Sequence, residues 1–245
     1  MTTLGSRVSQ TFQTLILAGA VLLPTGALAQ TFTTDFDIDR CTFSVTGRHN
    51  PYFSLRTGDR LTLEGEDDGE TVEVVITVTN QTKLITFVTP DGNTKRVRAR
   101  VVEEREKIDG ELVEVSRNWY ARCVETHDVF YFGEDVDIIE NGQVVRHDGS
   151  WQAGKNGAQP GIIIPARFLL GSRYFQEQAS PVAADRAEHV AMGLDVTAAG
   201  QTFHDCVAVT ETSPLEPGHE SAKTYCPGVG LVKDNQAELT EFERP

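Results

Sequence analysis

Basic residues are scarce. Lysine and arginine number 22 against 36 aspartate and glutamate in 245 residues, a formal net charge of −14. Such a surface repels phosphates and gains no counterion release, which excludes nucleic acid as a partner. Adsorption to anionic lipid headgroups is excluded on the same ground. Long apolar runs are missing as well: no later stretch approaches the roughly 18 apolar residues of a spanning helix, so no membrane span is expected. The zinc spacings C-x-x-C, His-x-His and His-x₃-His are absent, and so is a Gly-x-Ser-x-Gly nucleophile elbow. There is no internal repeat, no low-complexity tract and no linker rich in Pro, Ser or Gly. The sequence implies no cofactor.

What is present is ordinary globular composition, 39% apolar and 24% charged. Residues 1–29 read as a secretory signal. Arg7 precedes the apolar run Leu15 to Leu23, Pro24 and Gly26 break it, and Ala27-Leu28-Ala29 supplies a small–x–small cleavage pattern. Cleavage is expected between Ala29 and Gln30, giving a periplasmic or secreted protein. Gln30, not a Cys, stands directly after that point, so no lipid attachment is expected there. Losing Arg7 leaves 21 basic against 36 acidic side chains in residues 30–245, read as a single β-rich domain.

Cys41, Cys123, Cys206 and Cys226 all follow the signal, in an oxidising compartment where disulfides are the expected state. Four cysteines allow three pairings. Thr202–Thr210 and Ser221–Cys226 read as two strands around the turn-rich Ser213-Pro214-Leu215-Glu216-Pro217-Gly218. Cys206 and Cys226 are equidistant from Glu216, so antiparallel pairing about that midpoint sets them opposite each other. Cys41 then pairs with Cys123, tying the N-terminal arm to a central strand.

Asp-Gly and Asn-Gly dipeptides punctuate the chain as hairpin turns do. Strands are predicted over 71–78, 83–88, 94–101, 111–123, 129–132, 136–140 and 143–146, with a Gly-rich loop over 152–161. Further strands follow at 162–164 and 172–176. Residues 183–192 have helix-forming composition but also read as a hairpin into the Cys206 strand, and strands are favoured. The acidic tail from Asn235 to Pro245 is expected to fray. The fold class is mainly β with little helix: a single curved antiparallel sheet, a half-barrel or partly closed barrel, whose concave face holds the apolar residues.

Several segments carry a family pattern: Asn50-Pro51-Tyr52-Phe53-x-Leu55-x-x-Gly58, Tyr131-Phe132-Gly133-Glu134, Gly149-Ser150-Trp151, Gly200-x-x-Phe203-x-x-Cys206, Thr212-x-Pro214-Leu215-Glu216-Pro217 and Tyr225-x-Pro227-Gly228-Val229-Gly230-Leu231-Val232-Lys233. The chain resembles uncharacterised exported bacterial β-proteins over most of its mature length. These are distantly similar to half-barrel lipoprotein carriers of the envelope. The resemblance implies a curved sheet and an envelope role, and it implies no reaction. Lipid attachment, common in such proteins, lacks its Cys here.

Three His-Asp dipeptides occur, at His127-Asp128, His147-Asp148 and His204-Asp205. Successive residues on a strand face opposite ways, so none is a dyad in itself, although residues from separate strands could converge. Asp35-Phe36-Asp37-Ile38-Asp39 begins like a calcium loop, but Arg40 stands where glycine is needed. Asp135 and Asp137 share a strand face and are a candidate metal pair, or a solvated turn. The aromatic density at Trp119, Tyr120, Phe130, Tyr131, Phe132 and Trp151 reads either as core with cross-strand packing or as a ligand pocket. In the second reading Trp119, Tyr131 and Trp151 contact the ligand, and Trp151 is the lid. The functional expectation is an exported, non-catalytic envelope protein that binds a small apolar or amphipathic molecule or a partner protein. A hydrolase using His and Asp from separate strands, and a calcium-dependent surface protein, are the alternatives.

Overall fold

The computed structural model describes residues 31–46 and 50–245; the predicted signal and its cleavage point lie outside the described residues. Among the described residues the one helical turn is a 3-10 segment, Ile38–Arg40, and the rest of the regular structure is strand. In chain order the strands are β1 Phe43–Ser44, β2 Arg60–Asp67, β3 Glu70–Val88, β4 Thr94–Ile108, β5 Glu111–Cys123, β6 Val129–Glu140, β7 Gln143–Arg146 and β8 Trp151–Gln152. There follow β9 Gln159–Ile164, β10 Arg173–Phe175, β11 Glu177–Gln178, β12 Arg186–Ala198, β13 Gln201–Thr212, β14 Glu220–Cys226, β15 Gly230–Asp234 and β16 Ala237–Glu243.

These form one antiparallel sheet in the order β10-β12-β13-β14-β15-β16-β2-β3-β4-β5-β6-β9-β11, with β1, β7 and β8 attached to its sides. The sheet is strongly curved and is not closed into a barrel. Its two terminal strands, β10 and β11, are successive pieces of one stretch separated by Gln176. The first piece pairs with β12 and the second with β9. Meander connectivity follows from the turns. Asp109-Gly110 and Asn141-Gly142 take positive φ at both residues, the geometry that lets a two-residue turn match the twist of its strands.

The register of β13 on β14 pairs Val207 with Tyr225 and Thr212 with Glu220, centred on Glu216 as predicted. Cys206 and Cys226 form a disulfide with their Cα atoms 4.2 Å apart, and Cys41 and Cys123 form the other. This second bridge fastens the N-terminal arm over the outer face of β3–β6. There Phe36 and Phe43 meet Phe130 edge-on, at 6.0 and 5.4 Å between centroids. Ile85, Phe87, Val97, Ala99 and Phe132 complete this core and are essentially inaccessible. Two disulfides fit an oxidising, non-cytoplasmic location.

Three expectations differ from the structure. Residues 71–78 and 83–88 belong to one strand, β3, broken by a bulge: Val78 pairs with Val102 and Thr82 with Arg100, leaving residues 79–81 opposite Val101. The Thr79 hydroxyl donates to Val101 O at 2.7 Å, and this local bond stands in for the lost ladder. The acidic tail is not frayed, because residues 237–243 are β16 and join β15 to β2. The third concerns the concave face, which is not uniformly apolar.

Candidate ligand-binding site

Directly opposed residues of antiparallel strands share a face. Val102 opposes Val78 and Asn118, Glu104 opposes Ile76 and Ser116, and Tyr120 opposes Tyr131. Across the curl, Tyr225 and Lys223 of β14 point to the same interior. Glu104, Asn118, Tyr120, Lys223 and Tyr225 all line one cavity of about 100 Å³. Strands remote along the sheet path therefore meet inside it.

The mouth of this cavity is built by the segment that precedes β2. Asn50, 7% exposed, accepts from the Tyr52 backbone N–H at 2.9 Å and donates to Ile164 O at 3.2 Å. That side-chain turn, followed by Pro51, sets Tyr52 and Phe53 on the rim. The Gly228 N–H donates to Pro51 O at 2.8 Å, so the Asn50–Phe53 and Tyr225–Gly230 sequences pack on each other. Phe53 meets the Tyr120 ring edge-on at 4.9 Å, and Tyr120 stacks on Tyr131 at 4.9 Å. Asp59 anchors the far end of the segment, taking bonds from Ser54 Oγ at 2.6 Å and from the Arg244 guanidinium at 3.1 Å.

The floor is polar. Lys223 Nζ lies 3.2 Å from Glu211 and 3.3 Å from Asp234. Burial alone would lower its ammonium, but those two carboxylates override burial and hold it well above the usual value. Glu211 also accepts from Gln176 Nε2 at 2.6 Å. Burial pushes the Glu104 carboxyl up to about 7; Lys223 opposes the rise, while Asp234, Glu114 and Glu106 add to it. Burial likewise pushes Glu134 up to about 8, against its hydrogen bond with Tyr131. Glu177 is raised well above its ordinary range by burial and by Asp185, whose backbone N–H it accepts. The inner face thus combines apolar walls from β2, β3, β15 and β16 with a carboxylate-rich floor from β4, β6, β11, β13 and β14.

Of the residues expected to hold a ligand, Tyr131 faces this interior, where its hydroxyl donates to Asn118 Oδ1 at 2.6 Å. Trp119 and Trp151 line a separate cavity of about 300 Å³, together with Glu134, Asp135, Lys83 and Lys155. Trp119 is buried, and Lys83 Nζ sits 3.3 Å from its ring centroid. Trp151 packs edge-on against Tyr131 at 5.1 Å, and its buried Nε1 has no hydrogen-bond partner among the described residues. The two tryptophans come together at this cavity, which Tyr131 does not line although its ring touches Trp151. Gly133 makes this possible. It sits at φ 130° where β6 bulges between Tyr131 and Glu134, and a Cβ there would strike Trp151 O, Gln152 Cα and the Trp119 ring.

Asp135 is paired with Lys83 at 3.2 Å, and Asp137 with Arg117 at 2.8 Å and His147 at 3.0 Å. Each carboxylate of the candidate metal pair thus already holds a cation of the chain. His204 lies 2.8 Å from Asp195. His147 and His204 are both mostly exposed and line neither cavity. Cys41, Cys123 and Glu125 converge closely enough to resemble ligands, but the two sulfurs are spent on their disulfide.

No protein-family model, no curated protein and no solved structure matches this chain. The fold and the cavity therefore carry the functional argument alone. Sequence reasoning missed Tyr52, Phe53, Glu104, Lys223 and Tyr225 as a group. Two signals for them existed, since Tyr52, Phe53 and Tyr225 lie in the quoted motifs and Lys223 and Tyr225 alternate next to Cys226.

Proposed function

We propose that the protein is an exported, non-catalytic component of the bacterial envelope that takes a small apolar or amphipathic molecule into the curl of its sheet. The observation that supports this reading is the cavity between Tyr52, Phe53, Tyr120 and Tyr225, apolar on its walls and polar at its floor. Four of the chain's five tyrosines, Tyr120, Tyr131, Tyr174 and Tyr225, are buried in or beside this interior. An aromatic lining of this kind offers contact area at low entropy cost.

The test is native mass spectrometry of the protein purified from its own periplasm, alongside an Ile163→Trp variant. Ile163 is a half-buried wall residue, so an indole there fills the cavity without displacing core. A bound small molecule is expected on the natural protein and is expected to be missing from the variant. Equal occupancy of both, or no bound molecule and no uptake of any small apolar probe, would refute the reading.

A further inference from the structure

The geometry points to a small organic cation as the ligand: a primary amine carried on one ring or a short alkyl chain, with its ammonium on Glu104. This rests on the binding reading above and specifies the ligand's class. Size comes first. About 100 Å³ is comparable to engineered apolar cavities of ~150 Å³ that accept benzene, so the buried part of the ligand is one ring or about six carbons. Longer acyl chains do not fit.

Charge decides the head group. Glu104 lies at the floor of the aromatic cavity and also lines a second cavity, of about 320 Å³. Glu66, Asp67, Asp68, Glu70, Glu106 and Asp234 line that second cavity, and among the described residues no basic side chain does. The one ammonium that faces Glu104, Lys223, is already shared by Glu211 and Asp234. Three carboxylates around one lysine leave the floor negative, and Glu114 and Glu106 face Glu104 with further negative charge. Among the described residues no hydrogen bond reaches the Glu104 carboxylate; desolvation and neighbouring charges alone act on it.

An anionic head would meet this excess directly. A neutral head could donate a hydrogen bond to Glu104 but would bring no counter-charge. An ammonium supplies the missing counter-charge and three donors, and the rings of Tyr52, Phe53, Tyr120 and Tyr225 present faces that attract cations.

The experiment is isothermal titration of the disulfide-intact protein at pH 7.5 with benzylamine, benzyl alcohol and benzoate, three probes of one size. Benzylamine is expected to bind at least tenfold more tightly than the other two. Because an ammonium favours ionised Glu104, benzylamine binding is also expected to release protons, read as a heat that changes between buffers of different ionisation enthalpy. Glu104→Gln is expected to bring benzylamine down to the affinity of benzyl alcohol and to abolish the buffer dependence. The buffer comparison on the natural protein keeps the test decisive if that variant does not fold. Benzyl alcohol or benzoate binding as tightly as benzylamine overturns the cation assignment and leaves the cavity reading standing. Benzylamine binding without proton release, or untouched by Glu104→Gln, overturns Glu104 as its site. No binding by any of the three overturns both.

Discussion

Lys223 Nζ stands 3.2 Å from Glu211 Oε2 inside the curl of the sheet, on the strand adjacent to it. Asp234 completes the group from the other neighbour of β14. Lys223→Met would leave these carboxylates, and Glu104 with them, without their cation. Breaking such a pair by removing one partner costs roughly 3 kcal/mol, the low end for buried pairs because these side chains keep some contact with water. Urea denaturation at pH 8 is expected to show that loss, and at pH 5.5, where the Glu104 carboxyl is protonated, a smaller one. An equal loss at both values would contradict the account.

Glu104 and Glu134 bind protons more tightly folded, at about 7 and about 8, than at their ordinary 4.5. From about pH 4.5 to 8 the folded chain therefore holds more protons than the unfolded one, and stability falls as pH rises through that window. His189, buried and pulled down to about 4 from 6.5, acts oppositely, losing stability as pH falls from 6.5 to 4. Two carboxyls outweigh one imidazole where the windows overlap. The expected net loss between pH 5.5 and 8.5 is about 2 kcal/mol, discounted for partial exposure. Thermal melts across that range check it, and Glu134→Gln should flatten the upper half of the curve.

The two disulfides close loops of different length, with sequence separations of 82 and 20. In the chain-entropy account the longer loop contributes roughly 4–5 kcal/mol and the shorter about 3. Replacing Cys41 and Cys123 by serine should therefore cost more than the same change at Cys206 and Cys226. Denaturation midpoints of the two double variants settle the order, and the reverse ranking would contradict it.

Gly133→Ala places a methyl against Trp151 O and the Trp119 ring at a φ that L-residues rarely adopt. A loss of roughly 2 kcal/mol or more is expected from strain plus displacement. Trp119 and Trp151 are the chain's two tryptophans, so intrinsic fluorescence reads the disturbance directly. An unchanged emission spectrum and midpoint would show that the bulge tolerates a side chain.

Much of the architecture was legible locally. Asp109-Gly110 and Asn141-Gly142 specified hairpins because their residues accept positive φ, and the turn centred on Glu216 set the β13–β14 register and with it both cysteine pairings. These are short-range consequences of backbone sterics and spacing. The β16 tail was not legible, because its acidic alternation gains a partner only when β2, nearly two hundred residues earlier in the chain, comes alongside.

The sequence by itself determined the class of fold and the disulfide connectivity, since each depends on residue type and spacing. Which side chains share an interior was decided by the tertiary structure alone. Glu104 stands in sequence among Glu103, Arg105 and Glu106 with nothing to mark it, and Tyr52 stands only within a family pattern. Only the curvature of the sheet carries β4 across to β14 and sets half-buried Glu104 in one cavity with Lys223. The bulge at Gly133, likewise invisible in the sequence, lets Trp119 and Trp151 meet beside the strand that carries Tyr131.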